Sequence, residues 1–343
     1  MSILVTDMQA FLSKGVSSTA TQNGGRMADT PISLTAKNNG YPDVSSYVRE
    51  VGSEVAGRRW RKVFLANRNA ENLPGQYPMA LLDRPTQYGD YAYFIPADHD
   101  NFESAITGSE PIHGAALLAQ DALAGATAIQ VTLEDAFLAA MLADGREIMV
   151  STRANFENTT STVGVEEKHS ISGAPVVSGL TATITLGRAL AADFLVSAGA
   201  RISTIYRPAG DVAPAVTDWT ESGTGNFDET NYPLRLDNTG TIRQDWTLTY
   251  QGADSFVLAG DTLGALGTFS TTADAAPLNT VNGKPLLTIP KEGHGSSHVS
   301  GDTITFKTLP SAIPVWVNNV IPPNTTEYGL TDIAICWSME SPA

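Results

Sequence analysis

A chain of 343 residues with 42% apolar side chains has enough material for two or three domains of about 150 residues each, which excludes a disordered tail. Its formal charge of -15 excludes general affinity for nucleic acid or an anionic membrane, because phosphate contacts need a surplus of cations. The single Cys336 excludes an intrachain disulfide framework and any multi-cysteine zinc site.

The charge is uneven. Residues 1–84 carry ten Lys/Arg against seven Asp/Glu, whereas 85–145 hold nine acidic residues and no Lys or Arg. Met1-Ser-Ile-Leu-Val-Thr-Asp7 lacks the cationic start of a signal peptide, and no run nears the roughly 18 apolar residues that cross a bilayer. Synthesis in a cytoplasm, without membrane insertion, is the expectation.

Residues 1–40 read as an extended amino-terminal arm, polar and glycine-containing around Asn23-Gly-Gly-Arg-Met27. A first β-rich domain is expected over 41–113. Within it Arg58-Arg-Trp-Arg-Lys-Val-Phe-Leu65 predicts a strand with Trp60, Lys62 and Phe64 on one face and Arg59, Arg61, Val63 and Leu65 on the other. Met79-Ala-Leu-Leu82 and Tyr91-Ala-Tyr-Phe-Ile95 are the next strands.

A second β-rich domain over 114–210 carries a repeated pattern. Ala126–Thr132 then Asp144–Val150, and Leu180–Leu186 then Ala198–Ser203, each give a strand, a connection and a glycine turn into a second strand. Gly125 and Gly145 are twenty residues apart, as are Gly179 and Gly199. A looser third copy runs from Gly283 to Phe306. Leu133, Phe137, Leu138 and Met141 share one stripe and predict a short helix over 133–142.

Residues 211–231, rich in Pro, Gly, Ser and Thr, read as a linker, and 232–343 as a carboxy-terminal β domain. Its strands are expected at Thr241–Tyr250, Phe256–Leu258, Pro285–Ile289, Gly301–Phe306 and Pro314–Val317. The fold class expected is mainly β and multidomain: sandwich- or barrel-like units, few short helices and the extended arm.

Candidate chemistry is sparse. His294 and His298 are four apart, the spacing of a helical zinc pair, but Gly295-Ser-Ser between them predicts a surface loop. Asp98-His-Asp100 and Glu134-Asp135 lack the calcium-loop pattern and read as solvated turns. Glu166 and Glu167 would point to opposite faces of a strand, whereas a glycosidase pair must face one sugar. No nucleophile elbow, P-loop or dinucleotide fingerprint occurs, and Cys336 among apolar neighbours reads as an inert, buried strand thiol. The expectation is a protein that is not an enzyme and has no metal or other cofactor.

The basic run Arg58, Arg59, Trp60, Arg61 and Lys62 supports two readings. One is a solvated strand edge, where cations discourage edge pairing. The other is an interface, with Trp60 as anchor on an acidic neighbouring subunit.

Two ordered series of short motifs bracket the chain. The first is Gly24-Gly-Arg-Met27, Asn38-Asn39, Tyr41-Pro-Asp43 and Arg61-Lys-Val-Phe64. The second is Asp245-Trp-Thr-Leu-Thr249, Ala276-Pro-Leu-Asn279, Gly283-Lys-Pro285, Leu287-Thr-Ile-Pro290, Gly301-Asp-Thr-Ile-Thr-Phe306 and Pro314-Val-Trp316. Together they resemble a family of virion structural proteins encoded among the tail genes of tailed bacteriophages, including Mu-like phages. The chain departs from that pattern at Gly293–His298, where an aromatic residue is expected beside the glycines.

The resemblance implies a non-enzymatic component of a phage tail, in the baseplate or tail-tip region, made in the host bacterial cytoplasm and located in the virion. Its partners would be copies of itself and other tail or baseplate proteins in a symmetric assembly. The alternative is a receptor- or glycan-binding module that meets the host surface, with Tyr88, Tyr91, Tyr93 and Trp219 as stacking platforms.

Overall fold

The computed structural model describes residues 2–32, 57–86, 89–153, 163–295, 297–323 and 333–342. These form a mainly β fold with several sheets and a few short 3-10 turns, and no sheet closes into a barrel.

The strands of the first half are β1 (Met8–Gly15), β2 (Gly24–Pro31), β3 (Gly57–Asn67), β4 (Gln76–Leu82), β5 (Tyr91–Pro96), β6 (His113–Leu118), β7 (Ala128–Thr132), β8 (Glu147–Ser151) and β9 (Glu166–Ser170). Those of the second half are β10 (Val176–Ser178), β11 (Thr181–Thr185), β12 (Arg201–Thr204), β13 (Ala215–Ser222), β14 (Gln244–Gly252), β15 (Ser255–Gly260), β16 (Gly264–Ser270), β17 (Thr303–Leu309), β18 (Ala312–Ile321) and β19 (Ile335–Glu340).

A twelve-stranded sheet runs β10-β11-β7-β6-β5-β18-β3-β1-β2, with β12, β8 and β9 branching from β6. A five-stranded sheet runs β13-β17-β14-β15-β16, and β19 pairs with β4 in a two-stranded sheet. The large sheet is thus completed by a strand from far along the chain, since β18 lies between β3 and β5.

Burial follows the two-residue period of β18. Trp316 and Val320 enter a core with Tyr93, Ile129, Leu138, Ile148 and Phe194, while Ile313, Val315 and Val317 enter another with Leu65, Leu82 and Phe94. A strand covered on both faces reads as the continuous apolar run seen at Ala312–Val317. β14 differs: Trp246, Leu248 and Tyr250 are buried, while Thr247 is exposed and Asp245 and Thr249 are half-buried. The apolar face of this sheet is covered by Phe227, Ala275, Leu286, Leu287 and Ile289.

The repeat has a structural counterpart. β7 pairs with β11 and β8 with β12, so the two copies pair strand to strand. Gly125, Gly145, Gly179 and Gly199 all have left-handed φ, between 59° and 88°, which a side chain would oppose. The third copy is looser: Pro285, Thr288 and Ile289 make only isolated bridges.

Several expectations need correction. Instead of an extended arm, β1 and β2 form a hairpin, and β1 pairs with β3 over Met8–Leu12. The polar stretch 16–23 is the turn of this hairpin. Instead of a linker, 211–231 contains β13, the edge of the five-stranded sheet. In place of an α-helix, Ala136–Leu142 forms 3-10 turns capped by Asp135, burying Leu138, Met141 and Leu142 while Phe137 stays exposed. Cys336 lies in β19 but is half-buried.

Candidate functional site

Part of each motif series meets at the turn end of the amino-terminal hairpin: Gly24, Gly25 and Arg26 with Lys62, Asp245 and Trp316. Gly24 enters β2 at φ 114°, and a Cβ there would lie 2.6 Å from Cη2 of Trp316 and 2.8 Å from the Asn101 carbonyl oxygen. Only glycine allows β2 to lie this close to the indole. Trp316 is fully buried and its Nε1 donates to Oδ1 of Asn101 at 3.2 Å.

Lys62 is also fully buried, and its Nζ donates to the carbonyl oxygens of Gly25 at 2.9 Å and Asn101 at 3.0 Å. The ammonium lies 5.3 Å from the Phe64 ring centroid and 5.7 Å from that of Trp316. Burial pushes Lys62 down to about 7, against the opposing fields of Asp100 and Asp98. Beside it, burial and then the Lys62 charge push His99 down to about 4.

Around this core lies an ionic cluster. Arg26 bonds Asp261 at 2.6 and 3.0 Å, Asp100 at 3.3 Å and Asp245 at 3.4 Å. Arg243 bonds the far oxygen of Asp100 through Nε at 2.6 Å and Asp245 at 3.1 Å. Two guanidinium groups and three carboxylates thus join β2, the loop after β5, β14 and the β15–β16 turn. Desolvation would raise Asp261, but the Arg26 hydrogen bond and the Asp245 N–H hold it below its ordinary value. The aspartates are more than a third exposed, so solvent screening limits each pair to about 1 kcal/mol or less.

Of the expected site residues, Trp60 and Lys62 fall within this junction. The indole of Trp60 meets Tyr93 and Trp316 edge-on, at 5.6 and 6.4 Å between centroids. Arg61 is buried, with Nη1 donating to the Trp60 carbonyl oxygen at 2.8 Å. The side chains of Arg58 and Arg59 lie outside the described residues. β3 is no solvated edge, because β18 and β1 flank it. Asp98-His-Asp100 is a turn solvated only in part: Asp98 is exposed, whereas His99 packs against Phe64 and Asp100 holds both arginines.

Other candidates are dispersed. His298 is buried and stacks on Tyr250 at 3.6 Å, while Nδ1 of His294 meets the Tyr250 hydroxyl at 2.7 Å, so the pair is no surface loop. Their residues reach β14 because Asp302 ties the loop down through N–H groups of Gly225 and Val299. Burial pushes Glu134 up to about 8, and Thr86 donates to its Oε1 at 2.9 Å. Glu167 accepts from the N–H groups of Ala191 and Ala192 and lies 2.9 Å from Nε2 of buried His169, a structural role rather than an exposed strand end. Among the described residues no group of three or more His, Cys, Asp or Glu could hold a metal, and no helix is long and apolar enough to cross a membrane. Tyr91 and Tyr93 are core residues, Tyr88 lies outside the described residues, and Trp219 lines a groove.

The sequence reading missed Arg26, Arg243, Asp245 and Asp261 as a unit. Arg26 and Asp261 are 235 residues apart, and no local spacing encodes such a contact. The glycine pair at 24–25 was the one local signal of a close backbone approach.

Compared with protein-family models, with curated proteins and with solved structures, the chain matches none.

Proposed function

We propose that the chain is a non-enzymatic structural component of a bacteriophage tail, in the baseplate or tail-tip region, working through contacts between subunits of a symmetric assembly. The observation that carries this reading is the meeting of part of each motif series in one junction. Gly24, Gly25 and Arg26 touch Trp316, Lys62 and Asp245, each from a different part of the sequence. Their polar groups bind one another or the backbone, which suits residues that hold shape. Reacting atoms would need to reach a substrate.

Sheet edges supply the surfaces for association. Among the described residues β10 pairs only with β11, and its Val176 and Val177 are exposed, so its outer edge offers backbone hydrogen bonds beside apolar side chains. Repeating one such contact about an axis makes individually weak interfaces strong together. We further read the buried face of the five-stranded sheet and its covering segments as a sandwich-like unit.

The test is light scattering and negative-stain microscopy of the purified full chain, together with antibody labelling of phage particles. Rings and labelled tails support the reading; a monomer at every concentration with unlabelled particles overturns it. Arg58→Glu with Arg59→Glu then asks whether the basic run contributes: lost assembly with an unchanged melting temperature supports an interface there.

A further inference from the structure

We propose that the groove between β13 and the segments 72–74 and 229–238 is a binding site for a neutral saccharide, independent of the assembly the chain enters. The groove holds about 600 Å³ and is lined by Trp219, Leu234, Leu236, Pro74, Asn238 and Glu229, among others. That volume is within the roughly 300–1,000 Å³ of small-molecule sites.

Its geometry is locally specified. Thr217 pairs with Lys307 and Thr220 with Thr305, so Asp218 and Trp219 together oppose Phe306 alone. This bulge puts Asp218 at φ 54°, held by a 2.8 Å ion pair to Lys307, and stacks the Trp219 indole on Phe306 at 5.2 Å. Bulges re-aim side chains in this way, and a non-glycine residue at positive φ costs about 1–3 kcal/mol that surrounding structure must offset. On the opposite wall Asn72 also has positive φ, 58°.

The hydrogen-bonding character of the groove selects the ligand. Asn238 is fully buried; its N–H donates to Oδ1 of Asn72 and its Nδ2 to the Leu73 carbonyl oxygen, but its Oδ1 meets no donor among the described residues. Several nearby donors are committed or missing. Nε1 of Trp219 donates to Glu221 at 2.9 Å, the Asn72 side chain bonds Asp237, and the lining residues Pro74, Pro214 and Pro233 have no N–H. Oδ1 of Asn238 is itself shut off from solvent, so what remains toward the groove is a carboxylate at Glu229 and an indole.

A ligand for such a site must bring donors and an apolar face. Sugar hydroxyls and the C–H face of a pyranose ring supply both. A polyproline segment would bring carbonyl acceptors and few N–H groups, and the groove has little to give them. The carboxylate of Glu229 disfavours an acidic sugar.

Isothermal titration of the full chain with maltohexaose, cellohexaose and chitohexaose, beside a proline decamer, tests the assignment. One or more of the sugars is expected to bind saturably. Glu229→Ala, on the exposed rim, and Trp219→Ala should each weaken that binding roughly tenfold or more, and Ala213→Trp should abolish it by filling the groove. The two rim variants keep the test valid if loss of Trp219 disturbs the sheet. The proposal is overturned if no sugar saturates by about 10 mM, if Glu229→Ala and Ala213→Trp bind as tightly as the parent, or if only the decamer binds.

Discussion

The junction around Lys62 and the groove around Asn238 share parts: each has a tryptophan, a buried amide and charged side chains, and each leaves buried polar atoms without a partner among the described residues. At the junction these are Oδ1 of Asn23, Nδ1 of His99 and Nη1 of Arg243; at the groove it is Oδ1 of Asn238. They differ in room. The cavity lined by Arg26 and Arg243 holds about 120 Å³, space for a few waters at roughly 30 Å³ each, whereas the groove holds about 600 Å³. The unpartnered atoms of both regions are shut off from solvent and belong to internal packing; what sets the groove apart is the open space beside Trp219 and Glu229 that a ligand can fill.

Substitutions can break that contrast. Trp316→Ala should cost most, about 3–5 kcal/mol, because it opens a cavity where Gly24, Lys62 and Trp60 converge; urea denaturation of parent and variant measures it. A loss below about 1 kcal/mol would make the junction no more critical than a surface site.

Lys62→Met should cost about 1–3 kcal/mol by leaving the Gly25 and Asn101 carbonyl oxygens without a donor. Its pH dependence carries a sign. Folded Lys62 titrates near 7 instead of the ordinary 10.5, so between these values the unfolded chain binds more protons and parental stability rises with pH. The stability gap between parent and Lys62→Met should therefore widen from pH 7 towards pH 10. A constant gap would mean that Lys62 keeps its ordinary value.

Arg26→Ala should cost about 1 kcal/mol, since its partners are exposed enough to be screened. The loss should shrink in 1 M salt, where the screening length is about 3 Å. Smallest of all, Glu229→Ala should change stability by no more than about 0.5 kcal/mol, because Glu229 is an exposed rim residue. A larger loss would make Glu229 part of the scaffold and erase its distinction from the junction.

Much of the fold was legible because period-two alternation is local. Trp246-Thr-Leu-Thr-Tyr250 and Thr303–Phe306 announce one-sided strands, and the apolar run at Pro314–Val317 announces a doubly covered one. β13 was hidden because Asp218 breaks the alternation and its neighbours have a loop-like composition. β1 was hidden because it pairs with β3, more than forty residues downstream, and β2 because its register with β1 shifts twice. At the junction, the Lys62 face of β3 could be read from the sequence, but its burial could not. A lysine on a strand normally signals solvent, and only the carbonyls of Gly25 and Asn101 make its interior position tolerable. At the groove, Trp219 could be named as an aromatic platform, while the hydrogen bond from Asn238 to Leu73 joins residues 165 apart.

The position of β18 has a consequence for synthesis. On the ribosome, β3 and β5 emerge long before Ala312–Ile321, and until then each keeps an open edge where its partner will insert. Such non-local pairing is slow to form and exposes unpaired edges to neighbouring nascent chains. The large sheet can therefore close only after translation has passed residue 321, and interruption before that point would release a chain prone to aggregate.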